Sequence, residues 1–333
     1  MNIITLSCIY SLQFENPGVP MKYILPIGGG KGGAGKSFIA GNLGISLATQ
    51  GKKTLLIDVD LGTANLHTML GLPNSEKSLS DFTNKNVETL NEIIIKTSVT
   101  NLFIISGAGN TLNTANLHYQ QKMKILRAIP KLSYDYILLD LGAGTSFNTI
   151  DFFMISDFGV FVTTPEPTSV ENVYHLIRSI FLRKIRYVLD LPDFNAIVEK
   201  TLVRNKDTNV SFLTDLLYMV KDEYPGKGQF LEQSLQSLQF NLIVNQLRKR
   251  DNPNLGVMMC KLVERHLGIK VRFAGNIDFD DRVHNAVCEK LPFIQKYPYT
   301  KAATDLREIC NNIFLISRQE NKSDGGVLVK QKY

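Results

Sequence analysis

One stretch limits this chain more than any other: Gly28-Gly29-Gly30-Lys31-Gly32-Gly33-Ala34-Gly35-Lys36-Ser37. A short apolar run at 23–27 precedes it, and Phe38-Ile39-Ala40-Gly41-Asn42-Leu43 after it reads as a helix. From Gly30 to Ser37 the stretch satisfies G-x-x-x-x-G-K-S/T, the phosphate-binding loop, in the strand–loop–helix setting such a loop needs. Glycines let backbone N–H groups turn inward on phosphate oxygens, and the helix N-terminus adds positive potential there. Lys36 is placed to reach the β- and γ-phosphates, and Ser37 to offer its hydroxyl to Mg²⁺. A flexible glycine-rich turn is the plainer alternative; the strand before and the helix after argue against it.

Further apolar runs follow at 52–58, 102–106, 136–140, 159–163, 241–245 and 271–275, separated by helical patterning. Short, continuously apolar runs are how strands buried on both faces of a parallel sheet read. The expected fold is therefore α/β, a mostly parallel, doubly wound sheet flanked by helices, with ligands at the carboxyl ends of the strands.

Composition permits this. The chain has 333 residues, 44% hydrophobic and 20% charged, enough for one large α/β domain or two small ones. Cys8, Cys260, Cys288 and Cys310 are far apart with no C-x-x-C pair, which argues against a disulfide framework, a zinc site or an iron–sulfur cluster and fits a reducing cytosol. A net charge of +6 favours an acidic partner, with nucleic acid, an anionic membrane face and nucleotide all still open. No transmembrane run is present, and residues 1–20 lack a basic signal-peptide start. With Met21-Lys22 directly before the first strand, residues 1–20 are expected to be a disordered extension or an overcalled gene start.

Two strands end in carboxylates. The run at 52–58 closes on Asp58-Val59-Asp60-Leu61-Gly62-Thr63-Ala64-Asn65, and that at 136–140 on Asp140-Leu141-Gly142-Ala143-Gly144. An aspartate closing a strand downstream of a phosphate loop is the usual outer-sphere Mg²⁺ partner, which suits Asp140. Asp60 can orient or deprotonate an attacking water. Helix capping is the alternative for Asp58 and Asp60.

The second lysine early in the loop, Lys31, gives the chain a resemblance to the deviant-Walker-A ATPases of the MinD/ParA family. Asp58 to Asn65 and Asp140 to Gly144 resemble that family's switch I and switch II. Thr163-Thr164-Pro165-Glu166-Pro167-Thr168-Ser169 resembles a strand end of its MinD/FlhG branch, and Asn245-Gln246 resembles its adenine-reading segment. The resemblance spans about 22–317 and implies a SIMIBI-like P-loop NTPase that binds ATP and Mg²⁺. It implies that Gly30, Lys31, Gly32, Gly33, Ala34, Gly35, Lys36, Ser37, Asn65 and Asn245 hold nucleotide. Ser37, Asp60 and Asp140 serve the metal, and Lys31, Lys36 and Asp60 serve catalysis. Lys31 would reach the phosphates of a second subunit, so that ATP joins a homodimer and slow, partner-stimulated hydrolysis releases it. A solvated loop lysine is the alternative for Lys31.

Asp278 stands where the family often has proline, and residues 187–238 form an expansion read as a helical insertion. The apolar spacing of Phe212, Leu213, Leu216, Leu217 and Val220 supports that reading. One ATPase domain is thus expected over 21–318, with a flexible tail at 319–333. Arg178, Arg183, Lys184 and Arg186 form one basic cluster and Arg248, Lys249 and Arg250 another, either solvated faces or a surface for nonspecific DNA. No sequence-specific readout of nucleic acid is expected. The apolar stripe at 301–317 reads first as a core-packing helix and second as a membrane contact. The leading expectation is a cytoplasmic switch ATPase, free or peripheral on the inner membrane face, that positions or counts a cellular structure such as the flagellum and answers to an activating protein. A ParA-type partition ATPase on DNA is the alternative.

Overall fold

The computed structural model describes residues 22–314 apart from 61–63, 74, 108–118, 145–146, 157, 190–193, 206–211 and 237. The expected extension at 1–20 and the tail at 319–333 lie outside the described residues. Among the described residues eight strands make one sheet: β1 (Tyr23–Gly28), β2 (Thr54–Asp58), β3 (Ile95–Lys96), β4 (Leu102–Ile105), β5 (Tyr136–Asp140), β6 (Phe158–Thr163), β7 (Gln239–Leu247) and β8 (Val271–Asp278). Their order is β3-β4-β2-β5-β1-β6-β7-β8, and only β3 runs antiparallel to its neighbour.

The helices are α1 (Lys36–Thr49), α2 (Leu66–Met69), α3 (Leu79–Thr83), α4 (Tyr119–Ala128), α5 (Phe147–Phe153), α6 (Pro167–Leu189) and α7 (Phe194–Asn205). After them come α8 (Phe212–Glu223), α9 (Pro225–Gln236), α10 (Leu255–Leu267), α11 (Arg282–Cys288), α12 (Phe293–Lys296) and α13 (Lys301–Phe314).

Continuous apolarity in the strands has a direct physical consequence, because both faces of the sheet must be covered. Alternate residues feed opposite layers. Ile137 and Leu139 of β5 join a core with α4, α6 and α10, whereas Tyr136 and Leu138 join one with α1 and α13. Ile197, Phe212, Leu216, Val220 and Leu231 of α7, α8 and α9 are buried in the first layer. In the second layer α13 buries Ala302, Ala303, Leu306, Ile309 and Ile313, so its apolar stripe is used for packing.

Two features escaped the pattern of apolar runs. β3 is two residues long, too short to show a period. β7 continues past Asn245 to Leu247 through Gln246, which takes a left-handed φ of 61° beside a shift in register with β8. β1 lies between β5 and β6, where the order of strands reverses, so the carboxyl ends of β1, β2 and β5 open on one crevice.

Candidate nucleotide-binding site

Residues 29–35 turn from β1 into α1 at that crevice. Gly35 occupies the N-cap position with φ 93°, and a Cβ there would meet Asn245 Nδ2 at 2.1 Å. Gly30 has backbone for a neighbour: a Cβ would come within 2.4 Å of Asn172 in α6. Both positions therefore exclude a side chain, which leaves main-chain N–H groups to line the loop. The first turn of α1 adds donors that no helix can satisfy internally. Together they form an anion cradle.

Lys36 is buried, 8% exposed, beside Asp140 and Asp60. Burial lowers its pKa, and the two carboxylates oppose that shift. Asp140 is 2% exposed, and its carboxylate accepts a hydrogen bond from the Ser37 side chain. Its Oδ1 is buried without a partner. Burial pushes the Asp140 carboxyl up to about 6, against the lowering effect of Ser37 and Lys36. A buried carboxylate oxygen lacking a donor, next to a hydroxyl, is the hard-oxygen setting that suits Mg²⁺ and its waters. These residues fit the ion.

Asp58 is fully buried and acts on the backbone. Its Oδ1 accepts from Asp60 N at 3.1 Å and its Oδ2 from Leu66 N at 3.1 Å, so one carboxylate ties Asp60 to the start of α2. Burial, then the Asp140 charge, drives its pKa well up. The capping alternative thus describes Asp58, which bonds the first residue of α2. Asp60 stands apart from it: the side chain is half-buried, and its carboxylate lies 3.4 Å from where a Cβ on Gly142 would be. Asn65 is exposed ahead of α2, and Leu61, Gly62 and Thr63 lie outside the described residues. Leu141 N to Ile27 O, and Gly144 N to Gly29 O, each at 3.1 Å, tie the strand-end loop of β5 to the phosphate loop.

The outer half of the loop is held by side chains. Asn245 is buried and donates from Nδ2 to Ala34 O at 2.9 Å, and Gln246 donates from Nε2 to Gly33 O at 2.9 Å. Lys31 is exposed and pairs with Glu166 at 2.5 Å. Glu166 and Gln246 were not among the expected site residues. The Pro165-Glu166-Pro167 turn was legible as a strand end, but a carboxylate in it carries no signal of its partner 135 positions away.

One expected basic cluster is divided. Arg183 pairs with Asp151 at 3.1 Å, and Lys184, 2% exposed, donates to Ser156 O. Lys184 thus serves the packing of α6, whereas the Arg183 side chain is 38% exposed and Arg186 is exposed. Arg248, Lys249 and Arg250 are exposed.

Comparison with known proteins places this geometry. A family model described as an AAA domain matches residues 22–190. The antiactivator FleN of Pseudomonas aeruginosa is 22% identical over 87% of this chain and 85% of its own length. The septum site-determining protein MinD of Buchnera aphidicola from Acyrthosiphon pisum is 30% identical over 59% of this chain and 74% of its own. In fold, the chain is similar to MinD of Pyrococcus horikoshii in complex with Mg-ADP, with a TM-score of 0.62 at 20% identity over 89% of this chain and 98% of that one. The chain belongs to the MinD/ParA family of P-loop ATPases, on its MinD/FlhG-like, site-determining side.

Proposed function

We propose that the chain is an ATP-driven switch, monomeric without ATP and dimeric with it, that positions or counts a cellular structure. The observation that carries this reading is the division of the two loop lysines. Lys36 is buried among carboxylates where phosphates would sit, whereas Lys31 is exposed and, among the described residues, pairs with Glu166. A lysine needed inside its own site has no reason to stay outside it.

In this reading, main-chain N–H groups of the loop and Lys36 take the β- and γ-phosphates. Ser37 and Asp140 would hold Mg²⁺ and its waters, and the bound ion would supply neutralising charge at the phosphates. Asp60 orients the attacking water. Asn245 and Gln246 keep the loop open on the base side, and Asn245 is available to adenine when its bond to Ala34 is exchanged. Lys31 leaves Glu166 for the partner subunit's phosphates, so nucleotide and dimer form together. Hydrolysis is slow, and a protein partner speeds turnover. The switch acts in the cytoplasm against the inner membrane face, and among the described residues no helix is long and apolar enough to cross a membrane. Burial of Lys184, which donates to Ser156 O, weighs against the DNA-partition alternative.

Sedimentation velocity tests this directly. The full chain should move as a monomer with ADP and as a dimer with ATP and Mg²⁺, and Lys31→Ala should remain monomeric with ATP. A Lys31→Ala chain that dimerises like the parent would sink the proposal.

A further inference from the structure

The sheet ends at β3, which pairs with β4 on one side and, among the described residues, has no strand beyond it. Ile94 and Ile95 are therefore only half covered, although both are apolar. Beside them lies a cavity of about 340 Å³, bounded by Leu72, Pro73 and the turn at 75–77. Its floor is Leu72 with Ile93, Ile94, Ile95 and Ile104. His67 of α2 and Ser106, which follows β4, complete the wall. The turn is fixed without a ligand: Lys77 N donates to Ser75 Oγ at 3.2 Å, and Leu79 N to Ser106 O at 2.8 Å.

Charge at the mouth is uneven. The exposed Glu76, Lys77 and Glu92 line it, two carboxylates against one ammonium. Glu92 Oε1 already accepts from Thr89 N at 2.7 Å and Thr89 Oγ1 at 2.9 Å, and the Lys77 charge acts on that same carboxylate. Glu76 supplies the charge left over.

We propose that this cavity binds a small amphipathic amine, its apolar body on the isoleucines and its ammonium at Glu76. The floor takes hydrocarbon out of water, and a mouth of net negative charge favours a cationic head over a carboxylate. The site also adjoins the nucleotide crevice. His67 follows Leu66, whose N donates to Asp58 Oδ2. Gly107 follows Ser106, and a Cβ on it would meet Asp58 O at 2.5 Å and Ala64 Cβ at 3.4 Å. A ligand against His67 and Ser106 therefore bears on the residue that ties Asp60 to α2, and occupancy changes turnover by favouring one placement of that tie. Binding stands apart from the switch reading, and only the effect on turnover rests on it.

Calorimetric titration of the nucleotide-free full chain with phenylbutylamine, phenylbutanol and phenylbutyrate is the test, at pH ~8, where an ordinary imidazole is neutral. Saturable binding of the amine is expected, with the alcohol about 5-fold weaker, the worth of one solvent-screened charge pair, and the carboxylate weaker still. Glu76→Gln should bring the amine down to the alcohol and leave the alcohol unmoved. Ile94→Trp, which fills the floor, should abolish binding of all three, with a parent-like thermal melt and ADP affinity as proof of folding. Saturating amine should shift the parent's steady-state ATP turnover and leave that of Ile94→Trp unmoved. Four results would each overturn the ligand assignment: no saturable binding of the amine, phenylbutyrate binding as tightly, an amine affinity unmoved by Glu76→Gln, or parent-like binding by Ile94→Trp. Amine that binds as expected without moving turnover would overturn the link to Asp58. The titrations need neither ATP nor a dimer, so failure of the switch reading would leave their outcome intact.

Discussion

The two halves of the phosphate loop are built on different principles. The inner half, from Gly35 into α1, is buried and arranged before any ligand arrives: Lys36, Ser37 and Asp140 already face one another. The outer half, around Lys31, is exposed and held by side chains that can let go, Glu166 on Lys31 and Gln246 on Gly33. Preorganisation suits a group that must stabilise charge at the moment of reaction. An exchangeable partner suits a group that must change what it touches. The comparison therefore predicts large, uniform losses from changes in the inner half and small shifts of equilibrium from changes in the outer one.

The largest effect should come from Lys36→Ala. It removes the cation facing the phosphates and leaves Asp140 and Asp60 without their neutralising charge. Turnover should fall roughly 10²–10³-fold, as when a preorganised electrostatic group is removed, and ADP affinity should fall with it. Steady-state phosphate release and a nucleotide-binding titration check both. A variant that keeps ADP affinity would move Lys36 out of the inner half.

Asp60→Ala comes next and separates binding from chemistry. Loss of a residue positioning the attacking water costs roughly 10²-fold in turnover, while the cradle and Lys36 stay in place. The variant should accumulate as an ATP-bound dimer on a sizing column, and hydrolysis at the parent's rate would remove Asp60 from its role. Its neighbour Asp58 should behave differently, because its two oxygens hold Asp60 N and Leu66 N.

This contrast also explains what could be read without coordinates. The inner half is contiguous in the chain, and its backbone demands, glycine at the cap and a lysine at the helix start, are written as a motif. Asp140 was legible because a parallel strand between helices must end at the crevice. Glu166 and Gln246 were not, since each acts through one long-range contact. Likewise the helical spacing of Phe212, Leu216 and Val220 foretold their burial in the core. Arg183 and Lys184 read as surface charge because nothing in their own neighbourhood names Asp151 or the carbonyl of Ser156.

A pH series on the metal-free protein probes how deep the inner half is. The Asp140 carboxyl is raised from 3.8 to about 6, chiefly by burial. Across that window the folded chain keeps a proton that the unfolded chain has given up, so stability falls as pH rises through it. Asp58 is shifted in the same direction. Urea midpoints in EDTA should therefore be lower near pH ~7 than near pH ~5, and Asp140→Asn should reduce the difference to the part that Asp58 contributes. A slope unchanged in that variant would show that Asp140 is charged and solvated in the metal-free protein.

Glu166→Gln should give the smallest effect and the sharpest test of the outer half. The Lys31–Glu166 pair is 46% and 58% exposed at its two side chains, so solvent screens it and its worth lies within about 1 kcal/mol. If Glu166 restrains Lys31 in the monomer, its neutralisation releases that restraint and tightens ATP-dependent dimerisation by no more than about 5-fold. Because the substitution keeps size and polarity, ADP affinity should not move. Dimerisation constants from sedimentation equilibrium, set beside ADP titrations, distinguish the outcomes. Weaker dimerisation at unchanged ADP affinity would mean that Glu166 serves the dimer and not the monomer, and the outer half would then be a second interface element in place of a latch.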